Sequence, residues 1–232
     1  MRDAGELFDN YSDSYNDALA TALEPSGESR EYFAKERLKW LKKCLIGLKE
    51  NPRVILDFGC GDGSTTPLLQ ENLQADTAVG VDVSIKSLDF ARKHFANSRV
   101  TYTPIEALGL EKIDLAYCNG VFHHIPPRQR SFALAFVNAS LRLGGLFAFW
   151  ENNPWNPATR YVMSRCAFDR DAIMLSPPEA RRLLREGGFE IIRTDFRFIF
   201  PHTLRAFRKF EDFVFPFPFG SQYQILCRKP RN

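Results

Sequence analysis

Asp57, Gly59, Gly61 and Gly63 fall within one seven-residue run, DFGCGDG, and Asp82 follows a short distance on. Glycines at alternate positions permit a tight turn and let a ligand approach the backbone closely. A helix behind such a turn offers N–H groups that its own ladder leaves unpaired. An acid at the end of the next strand accepts hydrogen bonds from ribose hydroxyls. The set reads as a site for a nucleoside-containing cofactor at the strand ends of an open α/β sheet. A nicotinamide dinucleotide fingerprint would need its third glycine at position 64, where Ser64 stands, and does not require Asp57. A second polar group, Asn119-Gly120 followed by His123-His124, comes later in the chain. An imidazole there suits the general base that an oxygen nucleophile needs. The alternative is a histidine packed against its own loop, and the sequence does not separate His123 from His124.

The elements that must carry these residues alternate. Residues 53–58 (RVILDF), 77–83, 99–103, 113–118 and 146–150 (LFAFW) read as short, nearly continuous apolar strands. Helices fill the gaps over 65–73, from Ser84 as cap to about residue 95, and over 128–141, the last closed by Gly144-Gly145. Apolar strands in this order predict a mostly parallel sheet covered on both faces. Residues 1–50 read as helices, with 32–48 the better one. After Trp150, Asn152-Asn153-Pro154-Trp155 is a loop and 158–166 a helix. Ser176-Pro177-Pro178-Glu179 is a helix start, with Ser as cap and Glu at the third position. Strands are expected over 189–200 and 221–227.

The chain has 232 residues, 44% apolar and 25% charged, which suits one domain and excludes disorder and coiled-coil architecture as overall descriptions. A net charge of +3 with scattered basic residues gives no case for nucleic acid. The five cysteines, Cys44, Cys60, Cys118, Cys166 and Cys227, show no Cys-x-x-Cys pair. Neither a zinc site nor a disulfide framework is indicated, so no metal is expected, and reduced thiols fit a cytoplasmic compartment. The polar first residues are unlike a signal peptide, and no apolar run is long enough to span a membrane.

Asp57-x-Gly59-x-Gly61-x-Gly63, Asp82, Asn119-Gly120-Val121-Phe122-His123-His124 and the Gly144-Gly145 turn together resemble the class I S-adenosylmethionine-dependent methyltransferases of small-molecule type. The resemblance is good over 53–150 and loose over the rest. It implies a Rossmann-like open sheet of seven strands, the last antiparallel, with an N-terminal helical cap over 1–50, a cofactor-binding core over 51–150 and a substrate-facing part over 151–232. It implies S-adenosyl-L-methionine as cofactor. Asp57, Gly59, Gly61 and Gly63 would hold its methionine part, Asn119 and Gly120 would line the methionine end, and Asp82 would hold its ribose; Cys60 and Val83 are counted among the cofactor-binding residues. Many relatives carry an acid after strand three for the adenine. That place is Pro104 here, which leaves Ile105, through its backbone, or Glu106. Phe8-Asp9-x-Tyr11-x-x-x-Tyr15 is similar to the family's cap. Tyr11 and Tyr15 share one helical face, either to close over the sulfonium or to pack a terminal helix. The implied activity is methyl transfer to a small molecule or glycan precursor, at oxygen. The segments Asn152-Asn153-Pro154-Trp155-Asn156-Pro157 and Phe168-Asp169-Arg170-Asp171-Ala172 look like those of methyltransferases that work beside surface-polysaccharide or natural-product enzymes. A nucleotide-dependent oxidoreductase and a non-catalytic cofactor-binding partner subunit are the alternatives.

Phenylalanine is in excess. Of 21, nine lie between Phe196 and Phe219. Phe213, Phe215, Phe217 and Phe219 alternate, and Pro216 and Pro218 forbid a central strand, so an extended loop or edge is expected. Three readings stand: an apolar acceptor pocket that uses Phe215 and Phe217 beside Glu151, Asn152 and Trp155, a homodimer or partner surface, and local core.

Overall fold

The computed structural model describes residues 26–109, 112–166, 169 and 171–231. Seven strands make one sheet: β1 (Val54–Phe58), β2 (Thr77–Asp82), β3 (Val100–Pro104), β4 (Ile113–Asn119), β5 (Leu141–Asn152), β6 (Glu190–Arg197) and β7 (Gln222–Arg228). Their spatial order is β3-β2-β1-β4-β5-β7-β6. The first five are parallel, and β7 lies antiparallel between β5 and β6. The helices are α1 (Arg30–Leu48), α2 (Thr65–Leu73), α3 (Ile85–Phe95), α4 (Arg130–Ser140), α5 (Pro157–Arg165), α6 (Pro177–Glu186) and the single turn α7 (Glu211–Val214).

Successive β1 residues Ile55 and Leu56 point to opposite faces, and both are fully buried. One face packs Ile55, Leu115, Ala148 and Leu226 with α1 and α2 through Leu38, Leu41 and Leu69. The other packs Leu56, Ala116, Phe147 and Ile225 with α4 and α6 through Leu134, Val137 and Leu184. Burial on both sides explains the continuous apolar strands. The strand order turns back between β1 and β4, so a crevice opens beyond their carboxyl ends. Asp57, Asp82 and Asn119 are at or next to the last residues of β1, β2 and β4.

The caps read from sequence are present. The Ser84 hydroxyl accepts from the Ser87 amide at 3.1 Å, and the Glu179 carboxylate accepts from the Ser176 amide at 2.8 Å. Other expectations need correction. β5 begins at Leu141, well before 146, because Leu141 pairs with Ile113 and a register shift then absorbs Gly144-Gly145, with φ +75° at Gly144. β6 stops at Arg197, short of 200, because Phe198 takes φ +63° and turns the chain away. The stretch from Phe213 is a helical turn followed by tight turns, and is not extended. Of the helical N-terminus expected over 1–50, α1 is seen, capped by Ser29. Tyr11 and Tyr15 lie outside the described residues. Among the described residues no helix is long and apolar enough to cross a membrane.

Candidate functional site

The end of β1 turns sharply because Gly59, Gly61 and Gly63 all have positive φ. They do different work. A Cβ on Gly63 would stand 2.5 Å from Ala91 Cβ and 2.7 Å from the Tyr102 ring, so this glycine seats the loop on α3 and β3. A Cβ on Gly61 would meet nothing within 4 Å, so this backbone faces open space. The Gly59 and Cys60 amides donate to the Val81 carbonyl at 2.9 and 3.0 Å, which ties the loop to β2. Asp82 accepts from the Gly61 amide at 2.9 Å through one oxygen and from the Ser84 amide at 2.9 Å through the other. The carboxylate thus fixes the loop at the end of β2.

Asp57 is buried behind the loop and accepts from the Thr66 hydroxyl at 2.7 Å. Burial pushes its carboxyl up to about 7; the Thr66 bond opposes the rise and the Asp82 charge adds to it. Asp62 is gripped by both terminal nitrogens of Arg30, at 2.6 and 2.8 Å. Burial would raise the Asp62 carboxyl, but Arg30 holds it below its ordinary value. The first residue of α1 is therefore bolted to the glycine loop. Asn119 ends β4, and its Oδ1 is buried with no hydrogen-bond partner, a situation that usually marks a missing ligand or water. The Gly120 amide donates to the Trp150 carbonyl at 3.0 Å.

A second cluster begins just past Gly120. His123 Nδ1 lies 2.5 Å from Glu151 Oε2, and the other Glu151 oxygen accepts from the Phe122 amide at 2.7 Å. Asp169 Oδ1 lies 3.5 Å from His123 Nε2 and 3.3 Å from His124 Nε2. Burial alone would lower the His123 imidazole, but Glu151 and then Asp169 outweigh it and raise it to about 10. Burial and the neighbouring His123 pull His124 down to about 4. Arg130 clamps the loop that carries the pair: its Nε donates to the Phe122 and Ile125 carbonyls at 3.0 Å, and its terminal nitrogen to the Ile173 carbonyl at 2.6 Å.

The remaining residues read from sequence are spread more widely. The Cys60 thiol is buried, and burial holds it well above its ordinary value. Val83 is half-buried beside the main core, Ile105 is buried within that core, and Glu106 is exposed. Asn152 bonds to Gln222 at 3.0 Å, and Trp155 is exposed. Phe215 packs its ring 5.3 Å from Trp40. Phe217 is exposed and stacks on Phe219. The Asn-rich loop has a role the sequence did not suggest. Asn153 donates to the Gly220 carbonyl at 2.8 Å and Asn156 to the Phe219 carbonyl at 2.7 Å, so together they pin the aromatic loop to the end of β5. Sequence reasoning also left out Arg30, Thr66 and a role for Asp169 in the site. Arg30 and Asp169 bring their charges from distant loops or helix starts with no periodic signal.

The methyltransferase-domain family model matches residues 55–145. A trans-aconitate 2-methyltransferase of Delftia acidovorans is 30% identical over 140 residues, 58% of this chain and 52% of its own. The chain spans about half the length of the curated relatives it matches. A solved S-adenosylmethionine-dependent methyltransferase from Thermotoga maritima, described as a possible histamine N-methyltransferase, aligns with a TM-score of 0.65 at 19% identity, over 97% of this chain and 99% of its own. The [4+2]-cyclase SpnF aligns with a TM-score of 0.58 at 16% identity, over 83% of this chain and 80% of its own. Residues 55–145 thus match a methyltransferase-domain model, and the seven-stranded sheet around them is the fold of the solved S-adenosylmethionine-dependent methyltransferases with which the chain aligns.

Proposed function

We propose that this chain transfers a methyl group from S-adenosylmethionine to an oxygen of a small-molecule or glycan-precursor acceptor with an apolar face. The observation that carries the reading is the crevice itself, with the open backbone at Gly61, the Asp82 carboxylate and the unpartnered Asn119 oxygen at the ends of three adjacent strands. These groups fit the cofactor. Asp82 would accept from the ribose hydroxyls, Asn119 and the loop amides would hold the amino-acid part, and the raised Asp57 carboxyl would ionise beside a cationic ligand. Ile105, through its backbone, or Glu106 would contact the adenine.

The cofactor supplies a methyl group activated on a sulfonium. The protein's task is then to align the acceptor with that group and keep water out. The His123–His124–Asp169 cluster is next in the chain after Asn119 and Gly120, and the His123 ring lies 3.5 Å from where a Gly120 Cβ would be. The acceptor's proton would pass to His124, the imidazole of this cluster that is held neutral, because Glu151 and Asp169 already hold His123 protonated. The SpnF likeness shows that this fold serves other chemistry, so the reaction must be tested directly. Calorimetric titration with S-adenosylhomocysteine and with NADH, followed by turnover of labelled S-adenosylmethionine with polyhydroxylated and carboxylic acceptors, tests it. Binding of NADH alone would establish the oxidoreductase alternative. S-Adenosylhomocysteine binding without turnover on any acceptor would favour a non-catalytic partner subunit.

A further inference from the structure

We propose that His123, His124 and Asp169 are the protein ligands of a divalent transition-metal ion of the zinc type, with Glu151 orienting the first of them. The three ligand atoms, one from each residue, lie within 4.8 Å of one another. Asp169 Oδ1 stands 3.5 and 3.3 Å from the two imidazole Nε2 atoms. Those spacings are too long for the roughly 2.7–2.9 Å of a charge-assisted hydrogen bond. The two spacings from Asp169 are close to the edges of a tetrahedral site, where bonds of about 2.0–2.1 Å put neighbouring ligand atoms about 3.3–3.4 Å apart, and the two imidazoles would have to draw together to complete it. Asp169 Oδ1 has no hydrogen-bond partner, although the side chain is only 9% exposed. A buried carboxylate oxygen aimed at two imidazoles, at ion-pair distance from each and with no short hydrogen bond, is placed as a ligand would be.

Glu151 supplies an independent observation. Its carboxylate lies 2.5 Å from His123 Nδ1, which makes that nitrogen the donor to Glu151 and turns Nε2 toward Asp169. Metal-bound histidines are commonly oriented by a carboxylate on their other nitrogen in this way. Sequence spacing gave no hint of this, since the ligands lack the short cysteine or histidine repeats of a recognisable zinc motif and Asp169 comes from a distant loop. Three protein ligands leave one coordination position open. An acceptor oxygen taking that position is the part of the inference that rests on the methyl-transfer reading.

The test uses the full chain, stripped with a chelator and titrated with Zn²⁺ and Co²⁺, with S-adenosylhomocysteine affinity measured in parallel. One equivalent of metal should bind, and Co²⁺ should give the visible absorption of a tetrahedral centre. Asp169→Asn and His124→Ala should abolish stoichiometric binding while cofactor-product affinity is kept. Glu151→Gln should weaken metal affinity roughly 10–100-fold. A chain that binds S-adenosylhomocysteine but takes up no stoichiometric metal overturns the proposal, as does metal uptake unchanged in Asp169→Asn. Stoichiometric metal lost in both ligand variants, without cofactor-product binding, would leave the metal site standing and overturn the methyl-transfer reading instead.

Discussion

Around the glycine loop the backbone is set by what the side chains lack, whereas across residues 201–219 it is set by what a few polar side chains hold. Gly63 must be bare because α3 and Tyr102 crowd it, and Gly61 is bare toward open space. In the aromatic segment, Arg208 donates to Glu28 at 2.8 Å and to the Phe200 carbonyl at 3.1 Å. Glu211 accepts from the Ile199 and Phe200 amides at 3.0 and 3.1 Å. With the chain so pinned, Phe207, Phe210, Phe213, Phe217 and Phe219 are left exposed, Phe213 at 77%. The first region is a cradle in which small changes of shape matter. The second is a rigid mount whose aromatic rings are free for contact with something else, and an exposed apolar surface of that kind usually marks an interaction site.

The sharpest way to break the contrast is within the loop. Gly63→Ala should destabilise the fold by about 2–5 kcal/mol, from overpacking plus left-handed strain, with a large drop in Tm. Gly61→Ala should cost only the strain, about 1–2 kcal/mol, yet weaken S-adenosylhomocysteine binding more than about tenfold by filling the cradle. Equal melting losses in the two would erase the distinction between a packing glycine and a binding glycine. Asp82→Ala comes next, with a loss of about 1–3 kcal/mol in cofactor affinity as a charged acceptor is removed from the ribose. Unchanged affinity by calorimetry would remove Asp82 from the site.

The pH dependence is smaller. The Asp57 carboxyl is raised to about 7 in the free protein, above its ordinary value of 3.8. Its contribution to folding is therefore full below about pH 4 and is lost as pH rises through 7. A cationic ligand favours the ionised form, so affinity for the sulfonium cofactor, S-adenosylmethionine, should rise about tenfold from pH 6 to pH 8. Asp57→Asn should flatten that profile, and a wild-type profile already flat would refute the role. The smallest effect belongs to the second region. Phe217→Ser, on an exposed ring, should shift stability by less than about 0.5 kcal/mol and leave cofactor affinity alone. A change in assembly by light scattering would favour a partner surface, and a change in acceptor turnover alone would favour a pocket.

The contrast also explains what the sequence disclosed. Asp57, Gly59, Gly61, Gly63 and Asp82 were legible because backbone geometry there demands particular residues at fixed spacing, and the apolar strands around them were legible because both sheet faces are covered. Arg30, which grips Asp62, and Asp169, which faces both histidines, were not assigned to the site, because long-range ion pairs leave no local pattern. The alternation from Phe213 to Phe219 misled, since Asn153 and Asn156 bind that loop into turns and the alternation corresponds to no strand.

The most direct test of the account is calorimetric titration of the wild-type chain and Gly61→Ala with S-adenosylhomocysteine. The account predicts one site in the wild type and at least a tenfold loss in the variant with its fold retained. No binding to the wild type, or equal binding to both, would contradict the claim that the glycine-loop end of this sheet is where the cofactor lies.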